Sequence, residues 1–177
     1  MGGLTARLVP IRFACTNETP MHFGRLAPRF TMRHTAGVGG RVSEARAALS
    51  LAMEYKEVFA EEAAKLLTVK MTENDFLRYS RRAFGVKEDV ADWTPRQAKV
   101  AQDREDTLVS ILGSETCAFG ARTAYAGFQA IAEYLDHYSA ARGADDEAQA
   151  NRRQQRIVEG LTDEAKQRAW NMALATA

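Results

Sequence analysis

The stretch Thr123 to Ser139 reads Thr-Ala-Tyr-Ala-Gly-Phe-Gln-Ala-Ile-Ala-Glu-Tyr-Leu-Asp-His-Tyr-Ser, and it constrains the fold more tightly than any other segment. Ala124, Tyr125, Phe128, Ile131, Ala132 and Leu135 recur at three- and four-residue steps, which sets them on one wide apolar stripe of an α-helix. Glu133, Asp136 and His137 crowd its last turns. A helix of this kind must bury its apolar stripe, so the rest of the chain is expected to pack around it, with a polar cluster at one end. Two readings of that end stay open: an embedded site, or a core helix with a solvated end.

Further helical segments supply the packing partners. Gly37, Gly39 and Gly40 break the chain before a long helical pattern from about Val42 to Leu67, in which Val42, Ala45, Leu49, Ala52, Met53, Phe59, Ala63 and Leu66 keep the period. At 1.5 Å per residue it would span roughly 40 Å. Thr72 followed by Asp75 signals a helix start, and Gly85 ends that short helix at a left-handed position. Its Arg78, Arg81 and Arg82 read as a phosphate-binding ridge or, by the commoner pattern, a solvated face. Thr94-Pro95 opens a helix to Leu112, since proline at the first helical position loses no bond. Ala98, Ala101, Leu108, Ile111 and Leu112 are its core candidates, and Gly113 closes it. The organising helix is expected to run to near Arg142-Gly143, and residues 144–156 read as a long loop or an exposed helix. After Gly160, Thr162-Asp163-Glu164 reads as a cap. A last helix places Ala165, Ala169, Met172 and Ala173 on one face, with Trp170 near its end.

The front of the chain has a different period. Leu4 to Ala14 alternates Val9, Ile11 and Phe13 on one side and reads as a strand, at an edge, bulged or beginning at Pro10, which cannot donate to a ladder. Phe30 to Thr35 is a second strand candidate, and two strands make at best a hairpin. The expected class is mainly α with a short N-terminal β-hairpin (α+β), a bundle of about five helices around a central buried helix. With 177 residues, one domain over 1–177 is expected. It divides into a basic strand segment (1–36), a helical core (41–142), a polar linker or exposed helix (143–160) and a C-terminal helix (161–177).

A formal charge of +1 conceals an asymmetry. Arg7, Arg12, Arg25, Arg29, Arg33 and Arg41 stand against Glu18 alone in residues 1–41, a net of +5, and the remainder carries −4. All six cations are arginines, whose planar fork matches phosphate and carboxylate oxygens. Non-specific DNA contacts through these six are one reading, and pairing with the acidic helices of the same chain is the other. No apolar run approaches the roughly 20 residues of a membrane span, the start lacks the apolar segment of a signal peptide, and Ala6 stands where a myristoylation motif wants Ser or Thr. A cytoplasmic protein is expected, with no membrane partner. Cys15 and Cys117 have no metal-pair spacing and suit a reducing compartment.

Catalytic motifs are missing. There is no Gly-x-Ser-x-Gly elbow, P-loop, dinucleotide fingerprint, His-Glu-x-x-His or Cys-x-x-Cys, so the reading leans away from an enzyme and implies no cofactor. Gly37-Val38-Gly39-Gly40, flanked by Arg33 and Arg41, could cradle a phosphate, though a glycine hinge is the commoner use. Glu133 and His137 are four apart and would share a helical face. With His34 as a third ligand they would form a metal or catalytic site, while the ordinary alternative is a hydrogen-bonded structural network. Tyr125, Phe128, Tyr134, Tyr138 and Trp170 are spaced for helix packing rather than base stacking.

Several separated segments together carry a resemblance. Ile11-Arg12-Phe13-Ala14-Cys15-Thr16-Asn17, Arg33-His34-Thr35, Thr123-Ala124-Tyr125 through Glu133-Tyr134-Leu135-Asp136-His137, and Lys166-Gln167-Arg168-Ala169 resemble, in that order, motifs of the phage/plasmid-like proteins classed as domain of unknown function 932. Glu18, Tyr125 and Gln129 depart from the residues usual there. The resemblance implies a gene carried by phages or plasmids, with no reaction to transfer. It also implies a short member corresponding to the C-terminal half and lacking a β-rich N-terminal half, whose front edge would pair with a second copy. Three functions follow as expectations: a DNA-associated accessory protein, a helical module binding a host or phage protein, and a metal-dependent enzyme using His34, Glu133 and His137.

Overall fold

The computed structural model describes residues 3–7, 29–33, 50, 57–86 and 93–177. They are mainly helical. Gly3–Arg7 (β1) and Arg29–Arg33 (β2) pair antiparallel, with Gly3 opposite Arg33 and Arg7 opposite Arg29. Helices follow at 57–68 (α1), Glu73–Ala83 (α2), Pro95–Leu112 (α3), Ala124–Glu133 (α4), Asp146–Glu159 (α5) and Asp163–Leu174 (α6). The strand expected over Leu4–Ala14 is described only as far as Arg7. Residues 34–49, and with them most of the front half of the long helix expected from Val42, lie outside the described residues.

Helix starts follow local chemistry. At α2 the Thr72 hydroxyl accepts from Asp75 N–H and the Asp75 carboxylate accepts from Thr72 N–H, a reciprocal capping box. Thr94 and Gln97 repeat it at α3, with Pro95 at the first helical position. Asp145 caps α5, settling residues 146–159 as an exposed helix rather than a loop. Gly160 ends it at φ 71°, a conformation that costs glycine little.

At the centre is α4. Every residue from Ala124 to Glu133 is buried, so the single stripe expected from the sequence is corrected to burial all round. Helices α2, α3 and α6 each lie against it, and a helix enclosed on all sides has no solvent face to keep polar. Gly127 is part of the reason it can be enclosed: a Cβ there would come 2.7 Å from Met71 Sδ and 3.3 Å from the Phe76 ring. The entry to α4 is fastened by backbone. Ala124 N–H donates to Val69 O and Met71 N–H to Arg122 O, each at 2.9 Å.

Trp170 of α6 joins the layers. Phe128 of α4 meets it edge-on at 4.7 Å, Phe59 of α1 stacks on it at 5.5 Å, and its indole N–H donates to Glu62 Oε2 at 2.7 Å. Tyr79 of α2 donates its hydroxyl to Ala169 O. Two expectations change here. Ala98, a core candidate, is exposed, whereas Ala101, Leu108 and Ile111 are buried. The organising helix does not run as α-helix to Arg142: Tyr134–Tyr138 forms a π-helical turn closed by Ser139 N–H on Tyr134 O at 2.7 Å, and Ser139 is extended. Among the described residues no helix is long and apolar enough to cross a membrane.

Candidate functional site

The polar residues at the end of α4 engage different partners. Glu133, buried, accepts a hydrogen bond from the Thr116 hydroxyl, which also meets Ser114 Oγ at 2.7 Å. Asp136 engages α6 instead. Its carboxylate oxygens lie 2.6 and 2.7 Å from Lys166 Nζ, and Thr162 Oγ1 donates to Oδ1 at 3.5 Å. The π-turn contributes to this divergence. Each of its residues advances less around the axis than an α-helical one, so Asp136 is turned relative to the α-helical register that carries Glu133.

The Asp136–Lys166 pair is sealed from solvent, with side-chain exposures of 0% and 1%. Burial pushes the Asp136 carboxyl above its ordinary value, and the Lys166 ammonium pulls in the other direction. Such a pair fixes the relation of two helices more than it adds net stability, because desolvating two charges offsets most of their attraction. Thr162 is therefore not the side-chain cap read from the sequence: it makes no cap bond, and its hydroxyl faces Asp136. Among the described residues one buried side-chain polar atom, Gln129 Oε1, accepts no hydrogen bond.

The remaining sequence candidates are distributed as follows. Arg7, Arg29 and Arg33 lie on the strand pair, where the alternation of a pleated ladder assigns all three positions to one face. Arg12, Arg25, Arg41 and His34 lie outside the described residues. His137 is half-buried in the π-turn. Among the described residues no three His, Cys, Asp or Glu side chains gather as a metal site.

A second site, not assembled from the sequence, is a cleft of about 920 Å³ among α2, α3 and the end of α6. Its rim holds Lys70, Arg78, Arg81 and Arg82 with Asp75 and Glu105, an excess of two positive charges. Arg81 grips Glu105 through two bonds of 2.7 Å, tying α2 to α3, and Arg78 pairs with Asp75. The Asp75 carboxyl is drawn down to about 2, first by the Thr72 hydroxyl and then by Arg78. The signal available beforehand was the three-and-four spacing of Arg78, Arg81 and Arg82. It could not say that α3 would stand opposite and turn an exposed ridge into one wall of a cleft.

A family model described as "Domain of unknown function (DUF932)" matches residues 1–158. The stretch Lys166 to Ala169, which bears part of the resemblance, lies beyond those residues. No curated protein and no solved structure matches the chain.

Proposed function

The chain belongs to the DUF932 family, a domain whose activity is unassigned, and from that premise we propose a DNA-associated accessory protein of phages or plasmids, acting in the host cytoplasm. The observation that carries this reading is the register of the front strands. Arg7 stands opposite Arg29, and Arg33 shares their face. A phosphate backbone laid along that face would meet these arginine positions together, and contacts of this kind fix position without reading sequence. In Arg12, Arg25 and Arg41 the same segment brings three more arginines.

Fluorescence anisotropy with labelled single- and double-stranded DNA tests the proposal. Affinity should fall steeply between about 50 and 200 mM salt, with a log-log slope of roughly −0.7 to −0.9 per phosphate engaged. An Arg29→Ala/Arg33→Ala variant should bind more weakly and with a shallower slope. A flat salt response, or no binding at the lower salt, would refute it. A second reading is favoured by the strand pair, which among the described residues has two members: a two-stranded sheet is marginal alone, and pairing with a second copy or another protein would extend it. Light scattering across a concentration series separates it from the first, because this reading expects a defined oligomer in the absence of DNA.

A further inference from the structure

The cleft among α2, α3 and α6 has a divided chemistry. Its floor is formed by Met71, Tyr79, Ala101 and Met172, and Trp93 stands half-buried at the side. The Tyr79 hydroxyl is committed to Ala169 O, so the side chain presents its ring. Two rim cations are held in place by carboxylates, Arg78 by Asp75 and Arg81 by Glu105. Lys70 and Arg82, both exposed, have no ion-pair partner among the described residues. A matching ligand must bring negative charge to the rim and a flat, largely apolar body to the floor.

We propose that this cleft binds a nucleoside phosphate, with its phosphate at Lys70 and Arg82 and its base against Trp93 and the methionine-lined floor. The volume is that of small-molecule sites, roughly 300 to 1,000 Å³. Methionine sulfur and indole both favour a planar aromatic body, while Gln102 and Thr176 on the lining offer hydrogen bonds to base edges. Arginine and lysine supply charge-assisted bonds to phosphate oxygens. A free nucleotide and the phosphorylated end of a nucleic-acid strand share this chemistry. The proposal does not depend on the strand-face arginines.

Tryptophan fluorescence of the full chain reads the site directly. The chain has two tryptophans, and Trp170 is enclosed by Phe59 and Phe128, so quenching by a bound base reports Trp93. ADP should quench saturably, and adenosine should bind at least about tenfold more weakly for want of the phosphate bonds. A Lys70→Ala/Arg82→Ala variant should lose about tenfold in ADP affinity while keeping the wild-type melting midpoint, since both side chains are exposed. Trp93→Phe should lose the signal yet still bind ADP by calorimetry. Quenching by ADP assigns the site to free nucleotide; quenching by 5′-phosphorylated single-stranded DNA alone, sensitive to the same double variant, assigns it to a strand end. Quenching by neither, or binding indifferent to the double variant, would overturn the proposal.

Discussion

Asp136 and Lys166 show why a residue's role is fixed by what it meets. A carboxylate and an ammonium are both costly to bury, and each is tolerable here because the other is within 2.7 Å. Lys166→Met should therefore lower stability by about 3–5 kcal/mol near neutral pH. The sign of its pH dependence follows from linkage. An unpaired buried carboxyl has a folded-state pKa above its unfolded value of about 3.9, so it binds more protons when folded. Its penalty grows as pH rises through that window and is relieved below it. Denaturant melts at about pH 4 and 7 should show the smaller loss at the acid pH. The Asp136→Leu/Lys166→Met double variant should recover much of the deficit, and a double as unstable as the sum of the singles would remove the pair from the account.

Among the elements, α2 has the strongest local instructions. Thr72 and Asp75 satisfy each other's backbone donors, and Asp75 is held at about 2 by the Thr72 hydroxyl and Arg78. A carboxyl lowered in the folded state stabilises above its unfolded value, and that contribution disappears as pH falls towards about 2. Asp75→Asn should flatten the acid limb of the stability profile, read by circular dichroism from about pH 5 to 2. Thr72→Ala should cost about 1 kcal/mol at neutral pH. The Thr72–Asp75 start of α2, the Thr94 cap and proline at the start of α3, and the left-handed glycine after α2, Gly85 at φ 64°, were all legible beforehand, because each depends on neighbours within a turn. The π-turn was not. Residues 134–138 keep a helical composition, and the bond from Ser139 to Tyr134 coexists with packing of Asp136 against α6 that no local pattern encodes.

For the whole molecule, Trp170 is the point where α1, α4 and α6 converge, through Phe59, Phe128 and Glu62. Trp170→Ala should cost about 3–5 kcal/mol, and hydrogen exchange should show faster opening in all three helices together; loss of protection confined to α6 would contradict it. Residue order alone determined that this chain is mainly helical, that 124–135 is core, and where the capped helices begin, because periodicity and capping act over a few residues. It also carried the motifs by which the family is recognised. Only the tertiary structure decided that α4 is covered on every side, that Glu133 and Asp136 part company, that Thr162 serves Asp136 rather than a helix end, and that Arg78, Arg81 and Arg82 form one wall of a cleft. Each of those facts depends on contacts between segments tens of residues apart, and spacing along one helix specifies its faces but not what will stand opposite them.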